Sequence, residues 1–154
     1  MLTRKRVSFL LVLLVSCSIS PTLRALPQAG VSQQTSLYRR LGGYDGIAAL
    51  TDDLFARVAT DPQLSHFFKG HSSDTQKRQR QHVVEFLCAA TGGPCFYTGR
   101  DMKTTHTGLG ITESDWDVLL KHLQETFDKL KVQERERSDF LTLVSGLKTD
   151  VVGK

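Results

Sequence analysis

From residue 36 onward, apolar side chains recur every three or four positions, and no stretch alternates with period two for long. That rhythm predicts helices and no sheet. Ser36 can cap a very short helix, Leu37 to Leu41, which Gly42-Gly43 terminates. A longer helix runs from Tyr44 to about Thr60, with Ile47, Leu50, Leu54, Phe55 and Val58 on one face, and Asp61-Pro62 ends it. Leu64 to Phe68 is an apolar corner, and Lys69 to Ser73 a polar loop. Thr75 to Thr91 reads as a helix with a polar first half and an apolar second half. On it Gln79, His82, Val83, Phe86 and Ala90 share a face at three- and four-residue spacing.

The clearest helix is Thr112 to Lys131. Thr112-Glu113-Ser114-Asp115 is a capping sequence, and Trp116, Leu119, Leu120, Leu123, Phe127 and Leu130 make the stripe. Val132 to Arg137 is a polar connection, and Ser138 to Val152 repeats the pattern with Phe140, Leu141, Val144, Leu147 and Val151. There are no internal repeats. The fold class is therefore all-α, as one domain over residues 36 to 154.

Between the two best helices lies the stretch around which the chain is organised. Gly92-Gly93-Pro94 breaks a helix and forbids its continuation. Met102 to Thr107 is long enough for one or two turns and carries one histidine, His106, followed by Gly108 and Gly110. A histidine on a short helical segment beside a large apolar face can ligate a haem iron from one side, although a lone histidine is more often structural. The bland reading of His82 is a partly exposed residue near a helix start, and that of Lys77 and Arg78 a solvated surface.

Composition changes the picture mainly at the N-terminus. The 154 residues are 40% hydrophobic and 23% charged, with a formal charge of +4. Arg4, Lys5, Arg6 and Arg24 precede the first acidic residue, Asp45. Without residues 1–25 the 20 basic residues fall by 4 to 16, equal to the 16 acidic ones. The basic balance thus belongs to a leader, and no nucleic-acid partner follows from it. Met1 to Arg6 is basic and Val7 to Val15 apolar, a secretory pattern too short for a comfortable membrane span. Two cleavage readings stand. Leu14-Val15-Ser16-Cys17 resembles a lipobox, which would leave a lipid anchor at Cys17; alternatively, cleavage follows Ala25. Either way the expectation is an exported, periplasmic or lipid-anchored protein, with residues 26–35 as a polar linker. Export would permit a disulfide between Cys88 and Cys95. The favoured reading is that Cys88 packs as a small apolar residue and Cys95 is a loop thiol. No Cys-x-x-Cys or Cys-x-x-Cys-His sequence is present, so any haem is non-covalent haem b.

Several motifs together carry a resemblance. Gly92-Gly93-Pro94, Tyr97-Thr98-Gly99, Met102-Lys103 and His106-x-Gly108-x-Gly110-Ile111 resemble the proximal segment of the group I truncated haemoglobins. Leu37-Tyr38-Arg39-Arg40-Leu41-Gly42-Gly43 and Asp61-Pro62-Gln63-Leu64-Ser65-His66-Phe67-Phe68 resemble the same family at matching distances. The resemblance covers residues 36 to 152. It implies two helix pairs crossed over each other around a haem, with His106 as axial iron ligand and Phe68 packed on the macrocycle. Val58, Phe68, Val83, Phe86, Trp116 and Leu120 would line the slot, with Tyr97, Met102 and Lys103 near the haem edge.

On the distal side the family often uses a tyrosine and one or two glutamines to hydrogen-bond bound oxygen. Here Phe55 stands where the tyrosine is expected and Val83 where a second glutamine is often found, leaving Gln79. Loss of a donor worth on the order of 1 to 3 kcal/mol would make oxygen release roughly tenfold to a hundredfold faster. His82 matches a position that in some members binds iron as a sixth ligand. The function implied is reversible binding of oxygen, nitric oxide or carbon monoxide. The alternatives are an enzyme oxidising nitric oxide to nitrate with bound oxygen, which would need an external electron donor, and a bis-histidine electron-transfer protein.

Overall fold

The structure is a computed structural model, and it describes residues 35–154. The leader, its cleavage sites at Cys17 and Ala25, and the linker up to residue 34 lie outside the described residues. Among those described, the secondary structure is helical throughout: α1 (Leu37–Arg40), α2 (Gly43–Thr60), a 3₁₀ turn (Ser65–Phe68), α3 (Ser73–Ala90), α4 (Met102–His106), α5 (Glu113–Lys129), α6 (Glu134–Ser145) and α7 (Lys148–Val151).

Local chemistry sets these boundaries. Asp61 ends α2, and its carboxylate accepts from the backbone N–H groups of Gln63 and Leu64 at 2.8 and 2.9 Å, which turns the chain into the 3₁₀ corner. The Ser72 hydroxyl caps α3, accepting from Thr75 N–H at 3.2 Å, so the helix starts two residues earlier than its apolar pattern. Thr112 and Asp115 form the reciprocal box that their spacing predicts at the start of α5.

Two helix ends turn in the same way. At the end of α3, Gly92 takes a left-handed φ of 84° while Gly93 N–H reaches back to Cys88 O at 2.8 Å. A side chain at Gly93 would stand 2.6 Å from the Tyr38 ring and 2.8 Å from Cys88, so this glycine is required by contact. At the end of α5, Lys131 adopts φ 54° and Val132 N–H bonds to Phe127 O at 3.0 Å. This compact turn needs few residues. The polar segment expected to be a connection, Val132 to Arg137, therefore enters α6 already at Glu134. The single helix expected from Ser138 to Val152 is instead two, broken at Gly146-Leu147.

The core joins four helices. Ile47 and Leu50 of α2, Val84 and Leu87 of α3, Leu123 and Phe127 of α5 and Phe140 of α6 form one buried cluster. Helix α2 is central, packing on both α3 and α5. Phe127 and Phe140 meet edge to face at 5.7 Å, joining α5 to α6. Arg40 ties α1 to α6 by donating to Glu136 at 2.7 Å and to Asp139.

Cys88 and Cys95 are joined in a disulfide, with Cα atoms 5.8 Å apart. This corrects the expectation of an apolar Cys88 and a loop thiol at Cys95. The Gly92-Gly93-Pro94 turn folds the chain back over the end of α3, so the two cysteines meet across it. The bridge pins the loop leading to α4. A crosslink closing so short a loop stabilises by about 2.5 kcal/mol, on the model in which it restricts the unfolded chain. Cys95→Ala is therefore expected to lose about that much in urea unfolding. Reduction of the wild type by dithiothreitol should produce the same loss.

Candidate functional site

The short helix α4 is built to present one imidazole. The Asp101 carboxylate caps it, accepting from Thr104 N–H at 2.8 Å and from the Thr104 hydroxyl at 2.7 Å. His106 closes the single turn, and its Nδ1 lies 2.7 Å from the backbone carbonyl of Met102. A carbonyl only accepts, so Nδ1 carries the proton and Nε2 keeps its lone pair. That is the tautomer an axial metal ligand needs, with the second nitrogen held by an outer partner. Because that partner is main chain, one turn earlier, the helix itself orients the ring.

His106 borders a cavity of about 830 Å³ that is overwhelmingly apolar. Leu54, Phe55 and Val58 of α2 contribute to it, as do Phe67 and Phe68 of the 3₁₀ corner. From α3 come Gln79, His82, Val83, Phe86 and Leu87. Trp116, Leu119 and Leu123 of α5 and Phe140, Val144, Leu147 and Val151 beyond it add to the apolar part, as do Leu64, Leu109 and Ile111. Phe55 and Phe68 pack edge to face at 5.9 Å. Trp116 is buried. The volume falls in the range of small-molecule and cofactor sites, with apolar walls and a few polar groups.

The site residues expected from the sequence thus come together: Phe55, Phe68, Gln79, His82, Val83, Phe86, Tyr97, Met102, His106 and Trp116 all line this one cavity. Four details differ. Leu119 takes the place expected for Leu120, because the turn of α5 aims the earlier leucine inward. Ala90 shares the face of Gln79 and Phe86 in sequence yet is exposed, since α3 runs past the cavity before it ends. Lys103 points away and is exposed, while Arg100 and Thr105 sit at the rim. His71, in a segment that reads only as polar loop, also lines the cavity, and its Nδ1 is 3.1 Å from Gln79 Oε1. No periodic signal marks His71, because its contact is tertiary.

Tyr97 is a wall residue. Its ring stands edge-on to Phe86 at 5.3 Å and to His82 at 6.3 Å, and its hydroxyl donates to Arg100 O at 2.6 Å. Burial, then the nearby Asp101 and Glu85 carboxylates, push its phenol pKa upward, so it stays a neutral donor. The His82 side chain is 47% exposed, with Nδ1 at 3.9 Å from Glu85.

Haem needs an axial donor, an apolar slot and polar groups at one rim, and each is present. Among the described residues, no three His, Cys, Asp or Glu side chains cluster as a metal-holding group. One imidazole with a free Nε2 beside a large apolar slot suits an iron that arrives in its own macrocycle. A family model, Bacterial-like globin, matches residues 36–152. The chain belongs to the bacterial-like globin family. It is 31% identical over 129 residues to a group 1 truncated haemoglobin of Mycolicibacterium paratuberculosis, covering 84% of this chain and 93% of that one. Its identity to a group 1 truncated haemoglobin of a Nostoc species is 35% over 120 residues, covering 78% and 99%. The crystal structure of the Tetrahymena pyriformis truncated haemoglobin in its Fe(III) form superposes with a TM-score of 0.71 at 26% identity, covering 78% of this chain and all of that one. A Synechococcus haemoglobin described as 2/2 superposes at 0.70 with 25% identity, over 78% of this chain and all of that one. This globin therefore has the two-over-two helical fold, holds haem iron non-covalently and binds a diatomic gas. His106 would hold the iron there, and Phe68, Phe86 and Trp116, which line the same cavity, would flank the macrocycle. The haem supplies an open coordination position for the gas; the protein supplies orientation, a dry slot and the polarity around that position.

Proposed function

We propose that this globin binds oxygen reversibly and releases it faster than a globin with a distal tyrosine. The observation that carries this reading is the composition of the space beside α2 and α3. Phe55 packs edge to face with Phe68 where a phenol would donate a hydrogen bond, and Val83 adds nothing polar. Gln79 is left as the amide donor beside the bound gas. Phe55→Tyr is expected to slow oxygen dissociation roughly tenfold to a hundredfold in stopped-flow measurements, the worth of one added donor to a polarised ligand. An unchanged rate would show that this position does not face the gas.

His82 supports a second reading for the gas-free state. It lines the same cavity as His106 and its only ion-pair neighbour among the described residues, Glu85, is 3.9 Å away. Ligation would require α3 to lean toward the haem, and its polar first turns put no residue into the core cluster. We assign His82 as a sixth iron ligand in the ferric protein without gas. A low-spin visible spectrum in the wild type that becomes high-spin in His82→Leu is the expected result. A high-spin, water-bound wild type unaffected by the substitution excludes it.

Export is part of the same proposal. The leader pattern of residues 1–25 motivates it, and the Cys88–Cys95 disulfide supports it, since such bonds persist in oxidising compartments. Mass spectrometry of the protein from its native host should find a chain beginning after Ala25 or at a lipidated Cys17; an intact Met1 would refute it. Conversion of nitric oxide with an external electron donor has no observation favouring it over gas binding.

A further inference from the structure

We infer that His71 is a positioning residue for gas binding: it holds Gln79 by its amide oxygen, so that the amide NH2 is the end left to donate to the bound gas. The inference rests on the gas-binding reading above. His71 lies outside every helix, yet it is fixed from several sides. Its backbone N–H bonds to Phe68 O at 3.3 Å, and its carbonyl accepts from Gln76 Nε2 at 3.3 Å. Its ring stands edge-on to Phe68 at 6.3 Å and 84°. Ser72, the next residue, is tied down as the cap of α3. The imidazole is thus anchored to the corner that also carries the macrocycle-packing phenylalanine.

The chemistry then has one orientation. Nδ1 of His71 is 3.1 Å from Gln79 Oε1, and both residues line the cavity. An amide oxygen only accepts, so the imidazole donates from Nδ1. With its oxygen engaged, the Gln79 amide cannot flip to present that oxygen, an acceptor that would repel the negative end of a polarised gas. Its NH2 has no hydrogen-bond partner among the described residues. A free glutamine samples both orientations and several rotamers, so fixing it removes an entropic cost from the bond to the ligand. The chain thus uses two residues from two segments where one tyrosine on α2 would have served.

The test is a double-mutant cycle on the haem-loaded protein, with oxygen dissociation rate and the carbon monoxide stretching frequency of the ferrous adduct as readouts. His71→Leu is expected to speed oxygen release about tenfold, the scale of one hydrogen bond to a polarised ligand. The stretching frequency should move to the value of a pocket without donors. Gln79→Leu should do the same, and adding His71→Leu to it should do nothing more. His71→Gln, whose amide can donate the same bond, should restore most of the wild-type rate. In the diamagnetic carbon monoxide adduct, ¹⁵N NMR should find the His71 proton on Nδ1. The proposal is overturned if His71→Leu leaves rate and frequency unchanged, or if its effect persists in full in the Gln79→Leu background. If both single variants are silent while the gas still binds, the positioning role fails and the gas-binding reading stands. If no gas adduct forms in the wild type, both fall.

Discussion

Replacing His106 with glycine is expected to remove the imidazole that would hold the haem iron from α4 while leaving the helical fold standing. The ring is half-buried, at the end of a five-residue helix, and its one hydrogen bond is to the Met102 carbonyl of its own turn. None of the core cluster residues touches on its identity, because that cluster is built from α2, α3, α5 and α6. Haem retention should fall by about a hundredfold or more, beyond the ten- to hundredfold typical of losing only a partner behind a ligand. The ferric spectrum should lose its imidazole signature, and circular dichroism of the haem-free chain should match wild type. Free imidazole at millimolar concentration should restore the signature by filling the vacated space. Haem held with an unaltered spectrum in the variant would remove His106 from the iron. The Nδ1 acceptor is main chain, so no side-chain substitution can test the tautomer separately. Met102→Leu should leave the spectrum nearly unchanged.

The parts of this molecule legible in its sequence are those set by local chemistry. The stripe on α5 follows from 3.6-residue periodicity, and its start follows from a reciprocal cap that both Thr112 and Asp115 complete. In the proximal segment a helix break and a histidine followed by two glycines are legible within twenty residues, but it is the family resemblance that gives that histidine its role. Gln79 and Phe86 are legible as one helical face by their spacing, whereas their place beside the haem, like that of Phe68, is legible only through family resemblance. Contacts between segments distant along the chain are not legible. The disulfide depends on how the Gly92-Gly93 turn folds back, and seven-residue spacing alone does not decide that. His71 reads as loop because its partner, Gln79, is reached across a helix cap. The break at Gly146-Leu147 defeats periodicity because Phe140, Val144, Leu147 and Val151 keep facing the cavity on both sides of it. One continuous stripe therefore spans two helices.

Asp53→Ala is expected to cost about 3 kcal/mol of stability at neutral pH, and the wild type should lose part of its stability in acid for the same reason. Asp53 lies on α2 with its side chain only 7% exposed. Its carboxylate accepts from Arg57 Nε at 2.7 Å, from the buried Thr126 hydroxyl at 2.9 Å and from Lys129, so it binds α2 to α5. Arg57 extends the link to Glu125 at 2.6 Å, and His122 connects Glu125 at 3.4 Å with Asp61 at 2.9 Å. The chain of contacts thus ends at the carboxylate that turns the backbone toward Phe68. Burial by itself pushes the Asp53 carboxyl up. The donated hydrogen bonds from Arg57, Lys129 and Thr126 outweigh it and bring the pKa down to about 2 from 3.8. A pKa lower in the folded state means that the stabilisation is fully present above pH 4 and is lost as pH falls toward 2. Removing one partner of a buried pair typically costs 3 to 5 kcal/mol. The lower end applies because Lys129 is 63% exposed and regains water when orphaned. Urea unfolding at pH 7 and at pH 3 is the measurement. The wild type should be less stable at the lower pH. Asp53→Asn, which keeps the shape and loses the titration, should show a smaller difference between the two. Equal slopes in the two proteins would mean that Asp53 does not couple folding to protons.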